Sequence, residues 1–149
     1  MTIIQNAING ALVTSTSQRT QPVFNPATGE AIATLPLSTN DEINAAVASA
    51  KAAFPAWSNT PPMKRARIMF RFKQLLDENV HELAREISRE HGKVHDDAVG
   101  EVARGIDCVD FACGIPQLLK GEFSRNVGPN IDTHSDRQAL GVEIGRAHV

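Results

Sequence analysis

The chain is short of the features that mark whole classes of protein. It has two cysteines in 149 residues, Cys108 and Cys113. On one helix they would be separated by about 500° of turn, so they point in different directions and form neither a CxxC metal pair nor a local disulfide. No apolar run approaches the ~20 residues of a membrane span. The opening MTIIQNAING has no basic n-region or long apolar core of a signal peptide, and no Arg-rich transit character, so a cytoplasmic location is expected. Neither sign of charge dominates: 15 Lys and Arg against 17 Asp and Glu leave a net charge of -2, which argues against nucleic-acid binding. The one basic cluster, Lys64, Arg65, Arg67, Arg71 and Lys73, alternates with Ile68, Met69, Phe70 and Phe72. It reads as the wet side of an amphipathic helix. There is no Gly-x-Gly-x-x-Gly loop, no internal repeat and no low-complexity tract.

What is present suits one ordinary domain, since 42% hydrophobic residues suffice for a core. The first forty residues read as a β meander. Asn9-Gly10 marks a hairpin turn, Asn25-Pro26-Ala27-Thr28-Gly29 marks a second turn, and Ala31 to Leu37 follows as a strand. Thr39 and Glu42 form a capping box for a helix with its stripe on Ile43, Ala46, Val47, Ala50 and Phe54. Pro55 is expected to end that helix, with Trp57 folding back as an apolar plug. Thr60-Pro61 predicts the next helix, hydroxyl as N-cap and proline at N1, with its apolar face on Ile68, Phe72, Leu75 and Leu76. Asn79 breaks it, a third helix runs through Val80, Leu83, Ala84 and Ile87, and Gly92 stops that one.

The segment from Glu90 to Gly121 is the most informative. Val94, Ala98, Val102, Ile106, Val109 and Cys113 recur in steps of three and four and define one buried stripe. Arg104 falls on the opposite surface with Asp97, Glu101, Cys108 and Phe111. A guanidinium fixed on a packed helix can clamp a carboxylate with two parallel hydrogen bonds. Spacing alone favours a plainer state, an exposed Glu101–Arg104–Asp107 ladder contributing a few tenths of a kcal/mol. The helix should end or kink at Gly114 to Pro116. From Glu122 to Val142 the chain turns polar, with Gly128-Pro129-Asn130 between stretches that could pair as long strands. Strands, four helices and further strands point to α+β or to the front of an α/β enzyme.

Several motifs in this order resemble the N-terminal portion of the aldehyde dehydrogenases. They are Asn25-Pro26-Ala27-Thr28-Gly29-Glu30, Ala52-Ala53-Phe54-x-x-Trp57, Arg65-Ala66-Arg67-Ile68 and Glu90-His91-Gly92-Lys93. Gly100-Glu101-Val102-x-Arg104-Gly105, Phe111-Ala112-Cys113-Gly114-Ile115-Pro116 and Leu118-Leu119-Lys120-Gly121-Glu122 resemble the CoA-acylating methylmalonate-semialdehyde branch. The resemblance implies an α/β fold containing an incomplete Rossmann-like domain. It implies oxidation of malonate or methylmalonate semialdehyde, with NAD and CoA, to acetyl- or propionyl-CoA and released carboxylate. It also implies a homo-oligomer, no nucleic-acid or membrane partner, and a substrate-binding role for Arg104 toward the semialdehyde carboxylate. Another semialdehyde branch, or a non-enzymatic association module, would share much of this pattern.

The family's nucleophilic cysteine, general-base glutamate and dinucleotide-binding βαβ units would lie beyond residue 142, so catalytic residues are expected to be absent here. On the same resemblance, residues 1–121 belong to the dinucleotide-binding domain, 122–140 to an oligomerisation arm, and 141–142 to the start of the next strand. Residues 143–149 are expected to be foreign. Ile-Gly-Arg-Ala-His-Val is what one frame of a common sequencing adapter would encode, which would make Arg146 and His148 functionless. His91 and His95, four apart, could face one metal only if the helix ran through Gly92, which is not expected. His81 and His134 read as surface residues.

Overall fold

The structure is a computed structural model and describes residues 2–145. The last part of the expected foreign tail, residues 146–149, lies outside the described residues. The chain opens with five short strands: β1 (Thr2–Ile3), β2 (Asn6–Ile8), β3 (Ala11–Val13), β4 (Thr20–Phe24) and β5 (Ala31–Pro36). Asn9 and Gly10 both take positive φ, the backbone that a two-residue hairpin turn between β2 and β3 requires. The Asn25–Gly29 turn closes through Asn25 Oδ1, which accepts from the Ala27 amide at 2.9 Å, and the Asn25 carbonyl, which accepts from Gly29 at 2.8 Å.

The strands do not form the simple meander expected. β5 is central in the order β1-β5-β4, pairing parallel with β1 and antiparallel with β4, while β2 and β3 form a separate hairpin. A pairing between residues more than thirty apart leaves no local signal. Its consequence is that Ala33 in the middle strand is buried.

Helix α1 (Asn40–Ser58) begins with the expected capping box: Thr39 Oγ1 accepts from the Glu42 amide, and Glu42 Oε2 accepts from the Thr39 amide at 2.8 Å. Pro55 does not end it. Its missing N–H removes one bond near the C-terminus, yet its carbonyl accepts from Ser58 Oγ, Asn59 N and Asn59 Nδ2, so the last turn closes around it. Trp57 stays within this last turn, half exposed, and borders a hollow of about 170 Å³ with Pro62, Met69 and Pro116 rather than plugging a core.

Helix α2 (Pro62–Glu78) starts one residue later than expected, with Pro61 at the cap and Pro62 at N1. The Thr60 hydroxyl donates backward to Ala56 O at 2.9 Å, which removes it from the expected capping role. The covered face of α2 differs too. Ala66 is buried and Met69 and Leu76 are half-buried, whereas Ile68, Phe72 and Leu75 lie exposed. Two apolar stripes run along this helix, and α4 covers the one that carries the small residue.

Asn79 ends α2, its side-chain amide donating to Leu75 O at 2.7 Å, and its carbonyl receives the first amides of α3 (Val80–His91). Gly92 ends α3 at φ 79°, in the left-handed region that favours glycine. A Cβ there would also lie 3.0 Å from Pro26 Cγ, so this corner rests against the Asn25–Gly29 turn. Helix α4 (His95–Cys113) then packs on α2 and α3. Ala84 and Ala98, both 0% exposed, form a seam with Val102, flanked by Leu83, Ile87 and Ile106. Small residues at the crossing let the two backbones approach closely, while the larger neighbours exclude water. The expected stripe of α4 is covered at Ala98, Val102 and Cys113, half-covered at Ile106 and Val109, and exposed at Val94.

Gly114 caps α4 and the single turn α5 (Ile115–Leu118) follows. Strands β6 (Phe123–Gly128) and β7 (Ile131–His134) form an antiparallel hairpin about Pro129-Asn130, with nearly every residue exposed. Residues 135–145 contain neither helix nor strand.

Candidate functional site

The outward surface of α4 carries Arg104, the residue singled out for substrate binding. Arg104 stands there in the middle of a nineteen-residue helix whose opposite face is anchored by Ala98 and Val102. Its side chain is exposed and has no hydrogen bond or ion pair to any described residue. The Glu101–Arg104–Asp107 ladder is therefore not formed.

Glu101 is engaged elsewhere. Lys93, in the corner between α3 and α4, places Nζ 2.5 Å from Glu101 Oε1, with the two side chains 24% and 40% exposed. The Lys93 ammonium holds the Glu101 carboxyl below its ordinary range, mainly by this charge-assisted hydrogen bond; Arg104 adds a weaker attraction from a distance. Spacing on one helix could not reveal this partner, because Lys93 lies before the helix and reaches it only through the turn at Gly92.

Cys108 is exposed beside this surface and Cys113 is buried in the helix core. They occupy separate places and share no base. His95 meets His81 rather than His91: His81 Nδ1 and His95 Nε2 are 3.2 Å apart, with ring centroids 5.4 Å apart. That pair was missed in the sequence because fourteen residues separate its members. The basic cluster of α2 is partly neutralised by its own helix, Lys73 pairing with Asp77 at 2.9 Å and Arg71 approaching Glu78 at 3.9 Å. Arg65 is half-buried at the hollow beside Trp57, with its Nε unpartnered.

A second carboxylate is more strongly fixed. Glu42 accepts from the Thr16 amide at 2.6 Å, Ser15 Oγ at 2.8 Å and Thr16 Oγ1 at 3.0 Å, besides Thr39. These donors, the Thr16 and Thr39 amides foremost, lower its pKa from 4.5 to about 2. Its role is structural, joining the start of α1 to the segment after β3.

Among the described residues no strand leads into a helix through a glycine-rich turn, the arrangement that presents amides to a dinucleotide phosphate. The described residues place an exposed guanidinium on one face of the packed helix α4 and, on the opposite face, an apolar groove of about 470 Å³ between α2, α3 and α4 that includes Phe72, Leu83, Val102 and Ile106.

Five helices with small sheets, in this order, match a known family over most of the chain. Residues 12–145 match the aldehyde dehydrogenase family, and the chain belongs to it. Within the family it is similar to a malonate-semialdehyde dehydrogenase of Pseudomonas aeruginosa, 52% identical over 145 residues. That match covers 97% of this chain and 29% of the relative, so the chain spans less than a third of that enzyme's length. It corresponds to the N-terminal portion. Among solved structures, the methylmalonate-semialdehyde dehydrogenase of Oceanimonas doudoroffii superposes with a TM-score of 0.87 at 54% identity, covering 93% of this chain and 28% of that one. A protein from Sinorhizobium meliloti solved in complex with NAD gives 0.89 at 48% identity, covering 95% and 29%. The expected fold and family are thus met. The family match also reaches residue 145, three residues into the stretch expected to be foreign.

Proposed function

We propose that this chain supplies the N-terminal helices of an NAD-dependent, CoA-acylating malonate- or methylmalonate-semialdehyde dehydrogenase, and that Arg104 binds the carboxylate of the semialdehyde. The observation that carries the role of Arg104 is its state: a guanidinium with no partner, on a helix that packing holds still. An aldehyde bearing a carboxylate two carbons away needs a fixed cation to orient it, and the arginine fork does so in two hydrogen bonds. The close similarity to enzymes named for such substrates supports the choice of semialdehyde. The exposed β6–β7 hairpin, whose outer backbone edges are unpaired, is proposed as the surface through which copies of the full enzyme associate. A cytoplasmic setting is proposed as well; among the described residues, no helix is long and apolar enough to cross a membrane.

The 149-residue chain alone is expected to form no NADH, since Cys113 is buried and Cys108 has no base. The test uses the chain continued to the full length of its relatives. NADH formation from malonate semialdehyde should require CoA; formation of free acid without CoA would point to another branch. Arg104→Leu should lower kcat/KM for malonate semialdehyde about tenfold to a hundredfold, the scale of a lost charge-assisted pair, and leave propanal little changed. Equal losses on both aldehydes would remove Arg104 from substrate binding.

A further inference from the structure

Helices α3 and α4 each carry, in their first turn, a histidine that stands three residues ahead of a fully buried alanine. His81 precedes Ala84 and His95 precedes Ala98, and both alanines are 0% exposed in the seam where the two helices pack. Residues three apart share one face of a helix. The seam therefore fixes the stems of the two histidines against each other, while the rings lie at its outer edge, His81 exposed and His95 half-buried. Each ring turns a nitrogen toward the other: His81 Nδ1 and His95 Nε2 are 3.2 Å apart, with the ring planes 19° from parallel.

That separation is the bite of a chelate. Two nitrogens bound to one zinc ion at about 2.0–2.1 Å stand about 2.9 Å apart at a right angle and about 3.4 Å apart at the tetrahedral angle. We propose that His81 and His95 form a two-imidazole site for a divalent transition cation of the zinc, nickel or copper kind, which ties the start of α3 to the start of α4. Without the ion, one of the facing nitrogens donates a proton and the other accepts it. The ion takes the place of that proton, and a tilt of the rings aims both lone pairs at it. Imidazole favours these cations over magnesium and calcium, which need a shell of oxygen ligands. Among the described residues no group of three or more His, Cys, Asp or Glu converges on a metal position, so water fills the remaining positions and the ion stays exchangeable. Glu82 in the first turn of α3, and Asp96 and Asp97 in that of α4, offset the positive helix ends near which the ion sits.

Calorimetric titration of the 149-residue chain with zinc chloride near neutral pH should show one ion bound per chain, and magnesium chloride should show none. His81→Ala and His95→Ala should each weaken zinc binding about tenfold or more, because either leaves a single imidazole and removes the advantage of two linked ligands. His91→Ala should leave the affinity unchanged. Binding should fade in mild acid, where protons compete for the same nitrogens. Zinc should also raise the urea midpoint of the helices, followed by circular dichroism, in the unaltered chain and not in the His81→Ala, His95→Ala double variant. The same spectra identify any variant that has lost its helices, and for such a variant glutamine replaces the alanine. Zinc affinity that survives either single substitution, or that falls as far in His91→Ala as in His95→Ala, overturns the proposal. So does an unaltered chain that binds zinc no more tightly than the double variant.

Discussion

Helices α1 and α4 are both nineteen residues long, yet they are held in different ways. Helix α4 buries Ala98, Val102 and Cys113 against its neighbours, and its place is set by side-chain shape. Helix α1 buries no residue. Its apolar positions Ile43 and Val47 remain exposed, and its attachment runs through the Glu42 carboxylate and the donors of Ser15, Thr16 and Thr39. A packed seam resists changes in volume and is indifferent to protons. A carboxylate hub behaves in the opposite way. Arg104 belongs to the first kind of helix, which is why its position is well defined while its side chain is free.

The contrast can be broken most forcefully at the alanine seam. Ala84→Leu introduces three carbon atoms where no space exists, and should destabilise the helical unit by about 1–3 kcal/mol in urea denaturation followed by circular dichroism. The same change at the exposed Ala50 of α1 should stay within about 0.5 kcal/mol. Similar losses at both sites would mean that α1 is packed as α4 is.

Gly92→Ala probes the corner that delivers Lys93. The residue sits at φ 79° and its new methyl would press on Pro26. A loss of about 1 kcal/mol or somewhat more is expected in the same denaturation experiment. A neutral result would show that the corner and the Asn25–Gly29 turn relax apart freely.

The smallest and most local effect is the response to acid. The folded pKa of Glu42 is depressed from 4.5 to about 2. Its stabilisation is therefore complete above about pH 4.5 and is lost as the pH falls toward 2. Amide exchange should show the first turn of α1 opening across that window, and Glu42→Gln should abolish the pH dependence. The Ala84–Ala98–Val102 seam contains no titrating group, so its amides should follow only through the loss of the Lys93–Glu101 contact on the outer face. Equal acid sensitivity in the seam would erase the distinction between the two helices.

Punctuation was readable in the sequence because it is local chemistry. The Asn9-Gly10 turn, the Thr39–Glu42 box, the break at Asn79, the stop at Gly92 and the end at Gly114 each depend on residues within a few positions of one another. The stripe of α4 was readable because it is the one continuous apolar row on that helix. On α2 the row through Ile68, Phe72 and Leu75 is the more hydrophobic, but the smaller row at Ala66 and Met69 meets α4. Periodicity finds rows, and only a neighbouring element selects among them.

The sequence by itself determined several turns and caps, among them the Thr39–Glu42 box and the stop at Gly92, that the chain belongs with the aldehyde dehydrogenases, and that Arg104 lies opposite the buried stripe of its helix. Tertiary structure decided whether Arg104 is paired. Glu101 has the same spacing to Arg104 as Glu86 has to Arg89, but it bonds Lys93, which the Gly92 corner brings round, and Arg104 stays unpaired. Local spacing sets which partners are possible. The folded path of the chain sets which of them arrives.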